Sequence, residues 1–309
     1  MSKILVTGGA GFIGSHFVRQ ILSEDVIVLD KLTYASNIKR LDGMMDKITF
    51  VKGDICDKET LLSLFEKYDI QTVVNFAAES HVDNSIDDAS DFLKTNVFGV
   101  QNLMDVCRRY FTENSLFIQV STDEVYGPSE TACKGDAPLR PKNPYAASKA
   151  SAELLIKAYE NTYDFPSIIT RASNNYGPSQ HEEKLMAKVM KAIKNHEDIP
   201  VYGDGQQKRC WLHVEDHVRR LESIIKNSSL HEIHNISGWD TLSNLELIHM
   251  IISLFEEKGH VYKGKITHVK DRPGHDAVYT VFDENTYLNK KTLRHGLMEL
   301  IEHTLIEAR

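Results

Sequence analysis

The chain has 309 residues, 41% of them hydrophobic and 26% charged, a balance that excludes disorder and fibrous repeats and fits a globular protein with a large core in one or two domains. Its net charge of -8 is spread along the sequence, with no basic run long enough to follow a phosphate backbone, so nucleic acid is not an expected partner. The four cysteines form no CxxC pair, and no window approaches the ~20 apolar residues of a membrane span, which points to a cytoplasmic protein with neither a disulfide framework nor a membrane contact.

From the N-terminus, apolar runs of strand length alternate with amphipathic stretches of helix length. The runs are KILVT, VIVLD, ITFVKGD, TVVNFAA, LFIQVST and PSIITRAS. Strands that read as continuous Val, Ile, Leu and Phe are buried on both faces, so they predict a parallel, doubly wound α/β sheet of Rossmann type covered by helices. After residue 172 the rhythm changes to helix-like EEKLMAKVMKAIKNH, a turn at YGDGQQ and a second helix in LSNLELIHMIISLFEEKG. The expected division is a dinucleotide-binding domain over 1–172, with a returning segment near 210–238, and a smaller α/β substrate domain over 173–309.

The first strand runs into Gly8-Gly9-Ala10-Gly11-Phe12-Ile13-Gly14 and then into a helix with Phe17, Val18 and Ile21 on one face. Such glycines allow a tight turn and let the backbone approach a pyrophosphate at the helix N-terminus. The second strand ends in Asp30, whose carboxylate can accept bonds from an adenosine ribose and repels a 2′-phosphate, so the expected cofactor is NAD rather than NADP. Asp54, after the third strand, faces the adenine or is a turn residue; the sequence leaves both open.

The fifth strand ends in Thr122-Asp123-Glu124, two acids side by side. Neighbours on a strand point to opposite faces, so both reach one ligand only if the strand has already broken into a loop. Further on, Pro144 opens a helix that carries Tyr145 and Lys149 four residues apart on one face. An ammonium there can lower the phenol pKa and hold a nicotinamide ribose, and a phenol so tuned can take a proton from a substrate hydroxyl.

The glycine loop and the YxxxK pair, about 130 residues apart, resemble the extended short-chain dehydrogenase/reductase family. NFAAESHVD (75–83), Asn96, SNNYGP (173–178) and DRPGHD (271–276) follow in the same order. Within that family TDEVYG looks like the nucleotide-sugar 4,6-dehydratases, most closely those of dTDP-glucose; epimerases of the family typically carry small residues where Asp123 and Glu124 stand. The resemblance implies Thr122 on the reacting hydroxyl, Glu124 as the base at C5 and Asp123 as the acid at the C6 oxygen of a hexose oxidised at C4. Hydride held on NAD then returns at C6, and the net reaction is a dehydration to a 4-keto-6-deoxy sugar. A general acid must be protonated near pH 7, which requires burial or a neighbouring carboxylate.

By the same resemblance, Ile55, Ala77, Ser80 and Asn96 join Gly8, Gly11, Phe12, Ile13, Gly14, Asp30 and Asp54 in holding the cofactor. His81, Asn174, Glu183, Lys184, Leu185, Arg209, Asn244, Arg272 and His275 fall on the substrate side, with Arg209 and Arg272 as diphosphate clamps. The sequence departs from the family pattern at Asn84, commonly Arg; at Glu182 and Ala187, commonly Pro; at Cys210, usually Asp; and in a C-terminal segment without its Gly-Trp-x-Pro turn. These departures keep open a UDP-sugar dehydratase, with a 5,6-alkene or keto product, an NAD-dependent epimerase, or a non-catalytic NAD-binding sensor. His213 and His217, and His231 and His234, have no third ligand at convincing spacing, so no metal is expected. Residues 91–110 and the helix opened by Tyr145 correspond to the family's four-helix dimer interface, implying a homodimer.

Overall fold

The computed structural model describes residues 3–271, 273–274, 276–283 and 290–306. Every predicted run of the first half is a strand: β1 (Lys3–Thr7), β2 (Val26–Asp30), β3 (Ile48–Lys52), β4 (Ile70–Asn75), β5 (Leu116–Thr122) and β6 (Ser167–Ala172). Further along follow β7 (Asn174–Tyr176), β8 (Ile199–Tyr202), β9 (Lys208–His213), β10 (Ile233–Ile236), β11 (Asp240–Ser243) and β12 (Ile266–Val269). Seven strands form one sheet in the order β10-β6-β5-β4-β1-β2-β3, with every adjacent pair parallel. The order reverses between β1 and β4, the switch point where doubly wound sheets open a crevice for ligands.

The period-2 geometry of each strand divides its apolar residues between two cores. Leu5, Ile27, Val73, Phe117 and Ile169 face α2 (Lys58–Lys67), α5 (Val100–Tyr110) and α6 (Pro144–Tyr163). The alternate residues Val6, Val28, Val74, Ile118 and Ile168 face α1 (Phe12–Gln20) and α8 (Val214–Asn227). A third core gathers α7 (Leu185–Asn195), α9 (Asn244–Glu257) and α10 (Leu293–Ile306) around Ile199, Val201 and Trp211. α9 opens with a reciprocal Ser243/Glu246 capping box, which satisfies two terminal amides.

Residues 91–110 are not one regular helix. After α3 (Val82–Asp87), α4 (Ser90–Leu93) continues into π-helical turns at Lys94–Gly99 before α5 begins. Such widened turns re-aim side chains, and here they lie beside Asn96, whose Oδ1 accepts the Glu79 N–H at 2.9 Å while Nδ2 donates to the Glu79 carbonyl. The segment EEKLMAKVMKAIKNH also enters its helix later than its pattern suggests, at Leu185.

Candidate active site

A cleft of about 540 Å³ opens across the C-terminal ends of the central strands. On its first side lies the glycine loop. Gly8 has φ +66°, and a Cβ there would come within 2.7 Å of the Ala77 amide nitrogen; one on Gly14 would collide with the Gly8 carbonyl. α1 starts at Phe12 with Gly11 as its cap and no side chain on its first amides, so these N–H groups and the helix dipole are available to a phosphate. Asp30, 3% exposed, accepts the Ala10 N–H at 2.9 Å and the Leu32 N–H at 2.8 Å, which ties the loop to the end of β2. Each of its oxygens keeps a lone pair for a ribose hydroxyl.

Gly11, Phe12, Ile13, Ile55, Ala77 and Ser80 line the same side, with Asp54 at its edge. Burial pushes the Asp54 carboxyl up, but the Lys31 ammonium at 2.8 Å and the Cys56 amide together hold it below its ordinary value. Asn96, expected on the cofactor side, lies behind the cleft wall rather than on its surface. It is 1% exposed and spends its amide on Glu79 and on Ser148 Oγ, so it holds the Ala77–Ser80 wall from behind.

The catalytic candidates converge on the opposite wall. β5 ends at Thr122, and the chain turns at once into a 3-10 turn over Asp123–Tyr126, closed by Gly127 at φ +71°. This break frees the acid pair from strand alternation, and both acids line the cleft. Asp123 is buried with no hydrogen bond on Oδ2. Burial, and then the Glu124 charge, push its carboxyl up to about 7, against the opposing pull of Arg209. Glu124 is only partly buried and accepts a bond from Asn143 Nδ2 at 3.2 Å.

Asn143 also caps α6 through the Ala146 N–H, so the start of the Tyr145 helix and the position of Glu124 depend on one side chain. Tyr145 and Lys149 lie along the face of α6 that meets Thr122, and both line the cleft. The phenol differs from the expectation of a lowered pKa. Burial raises it, the Glu124 charge adds to the rise, and the Thr122 hydroxyl opposes it. Lys149 donates to the Val120 carbonyl at 2.7 Å rather than to the phenol, and burial brings its ammonium down to about 8.

The substrate candidates form the outer part. Glu183 stands between His81, at 3.7 Å, and His181, at 3.5 Å; His81 also caps α3 through the Asn84 N–H. Lys184 reaches back to the Ser80 carbonyl at 3.1 Å, and Leu185 opens α7 with no side-chain cap. Asn174, on β7, and Asn244, in the first turn of α9, line the far end. Arg209 is buried and engaged with the Lys208 and Asp276 carbonyls and the face of Tyr279, while still lining the cleft near Asp123. Arg272 and His275 lie outside the described residues.

Several contributors escaped the sequence reading. The Arg40 guanidinium donates to the carbonyls of Ala10, Ala35 and Ser179, strapping the segment after β7 to the glycine loop. Ser179 has φ +65°, a conformation an isolated serine rarely holds. His217 and Asn175 form a 2.9 Å pair at the cleft wall. No short-range pattern marks Arg40 or the His217–Asn175 pairing, because the partners are distant in sequence. Among the described residues no group of three His, Cys, Asp or Glu side chains is arranged for a metal.

A doubly wound sheet, a glycine cradle shaped for a dinucleotide and a Thr-Asp-Glu turn facing a Tyr-Lys helix have the make-up of a dinucleotide-dependent enzyme. The model of the GDP-mannose 4,6 dehydratase family matches residues 5–289. The chain is 42% identical over 301 residues to the dTDP-glucose 4,6-dehydratase of Neisseria gonorrhoeae, across 90% of this chain and 87% of that protein. It is 44% identical over 284 residues to the low-salt glycan biosynthesis protein Agl12 of Haloferax volcanii, across 90% and 89%. Among solved structures, the dTDP-glucose 4,6-dehydratase DesIV of Streptomyces venezuelae, crystallised with NAD bound, superposes with a TM-score of 0.89 at 39% identity, covering 97% of this chain and 96% of that one. The chain belongs to the GDP-mannose 4,6-dehydratase family, within the extended short-chain dehydrogenases/reductases.

Proposed function

We propose that this protein is an NAD-dependent lyase that dehydrates a nucleotide-diphosphate hexose of the dTDP-glucose kind to its 4-keto-6-deoxy form. The observation that carries this reading is the divergence of two adjacent carboxyls. Asp123 is buried, its titration pushed up to about 7, and one oxygen has no partner, whereas Glu124 is partly open and held by Asn143. Two carboxyls in contrasting environments suit one acid and one base.

Gly8, Gly11–Gly14, Asp30 and Asp54 would hold NAD, which would supply an acceptor for the C4 hydride and a donor of that hydride at C6. Tyr145 receives the proton of the C4 hydroxyl, with Thr122 as its hydrogen-bond partner. The Lys149 charge must offset the burial and the Glu124 field that hold the phenol up. Once C4 is a ketone the C5 proton is acidic, and Glu124 removes it. Asp123 gives its proton to the C6 oxygen, which leaves as water. An epimerase has no such leaving group and no use for a buried protonated carboxyl.

The outer wall supports a nucleotide diphosphate held by Lys184, Arg209 and the uncapped start of α7, with Asn174, Glu183 and Asn244 beside it. Residues 1–172, rejoined by the chain near 210–238, are the cofactor-binding domain, and the remainder is the substrate-binding domain. Leu93 and Phe98 before α5, and Leu154 on α6, are each more than half exposed, which favours a homodimer through these helices. No helix among the described residues is long and apolar enough to cross a membrane, in keeping with a cytoplasmic enzyme.

The test is product mass after incubation with dTDP-glucose, UDP-glucose and UDP-N-acetylglucosamine in separate reactions. Loss of one water from dTDP-glucose supports the reading, loss from a UDP-sugar alone reassigns the base, and unchanged mass in all three removes dehydration.

A further inference from the structure

Behind the catalytic wall lies a buried charge cluster that the proposed mechanism does not use. Glu153, 1% exposed, follows Lys149 by one turn on the same face of α6. Its carboxylate accepts Ser121 Oγ at 2.5 Å and the Arg171 guanidinium, with Nε at 3.0 Å and Nη2 at 2.6 Å. Ser121 directly precedes Thr122 on β5. Arg171, 2% exposed, donates its remaining arm to the Gly135 carbonyl at 3.0 Å and lies over the ring of Tyr126, the last residue of the acid-pair turn. Tyr126 in turn donates to Asn235 Oδ1 at 2.8 Å. One carboxylate thus ties the Tyr-Lys helix, the strand that ends in Thr122 and the strand beside it.

We infer that Glu153 is a positioning residue that keeps the Lys149 ammonium charged inside the wall, with Ser121 holding the carboxylate at its post and Arg171 drawing on the same charge. The inference rests on the reading of Lys149 as part of the reaction machinery. Lys149 is 4% exposed with a single hydrogen bond, to a neutral carbonyl. Burial works against its charge, and the Glu153 carboxylate is the field that opposes this loss. Other charged and titratable groups on the elements that carry the two residues and their partners include Tyr145 and Lys157 on α6, Asp123, Glu124 and Tyr126 in the turn and Arg171 on β6, with Asp105 on the neighbouring α5. Lys157 is committed to Glu160 and the His231 carbonyl, and Asp105 to Tyr159 and Lys58. Arg171 competes with Lys149 for Glu153, so the cluster sets the Lys149 charge by balance rather than by a closed pair.

The experiment follows Lys149 itself, by NMR titration of its side chain in 13C-lysine-labelled holoenzyme, assigned with Lys149→Arg. Glu153→Gln is expected to lower the Lys149 midpoint by roughly one pH unit or more, and Glu153→Asp, which keeps the charge, to restore most of it. An unchanged midpoint in Glu153→Gln overturns the inference. If that variant does not fold, Arg171→Gln serves with the opposite sign, since it frees Glu153 for Lys149 and raises the midpoint; a fall or no change there overturns the inference equally. Failure of the underlying reading is separate: Lys149→Met turning over nucleotide sugar at the wild-type rate removes Lys149 from the mechanism, whatever its titration shows.

Discussion

Asp123 and Glu124 are bonded neighbours in the chain yet occupy opposite environments: Asp123 Oδ2 is sealed from solvent without a partner, while Glu124 Oε2 takes a 3.2 Å bond from Asn143. The 3-10 turn that begins where β5 stops makes this possible. It rotates two consecutive side chains toward one cleft from unequal depths, and the shared turn makes the deeper acid answer to the charge of the shallower one.

Asp123→Asn keeps the shape and removes the proton. Dehydration is expected to fall by about 10²–10⁴-fold, while oxidation at C4 survives. Reduced-cofactor absorbance together with product mass checks both halves. Wild-type turnover removes Asp123 from the acid role.

The dehydration rate should fall as pH rises through about 7, because the acid must carry its proton and that is where the Asp123 carboxyl releases it. A rate–pH profile at saturating substrate checks this, and activity that stays level from pH 6 to pH 9 is against it.

The same shift has a cost in stability. A carboxyl whose folded pKa lies above its unfolded one binds more protons folded than unfolded, so stability declines as pH rises from about 4 to about 7 and levels off above. Asp123→Asn lacks this liability. It should unfold at a higher temperature than wild type at pH 8, by up to a few kcal/mol of stability, with most of that gain gone near pH 4. Thermal melts at the two pH values decide it.

Gly14→Ala places a methyl against the Gly8 carbonyl, which is backbone and cannot yield without opening the cradle. The variant is expected to purify with little or no NAD. Cofactor content after denaturation, set beside a thermal melt of the same sample, separates loss of binding from loss of fold.

Leu154→Glu with Phe98→Asp puts charge into the exposed apolar face of α6 and the segment before α5. Light scattering should report a dimer for the wild type and a monomer for the double variant, and equal masses would take the interface elsewhere.

Much of this was legible in the sequence because its signals are local. The continuous apolar runs give six strands of the main sheet, and the glycine loop, the Thr-Asp-Glu turn and the Tyr-Lys helix each carry their spacing within a few residues. Asn96 sits behind the cleft wall because the π turn sends its amide to Glu79, a placement that no local sequence pattern marks. The phenol of Tyr145 departs from expectation for a similar reason: helical spacing puts Lys149 near it, but Val120 captures the ammonium and Glu124 arrives from another element. Arg40, Arg171 and Glu153 were illegible because their partners lie on other strands and loops.

The most direct measurement is the fate of a deuterium label at C4 of dTDP-glucose. Oxidation, elimination and return within one cleft predict a product lighter by one water that carries the deuterium at C6, with a solvent-derived hydrogen at C5. A product of unchanged mass, or one that has lost water but holds no deuterium at C6, contradicts the proposed role of this site.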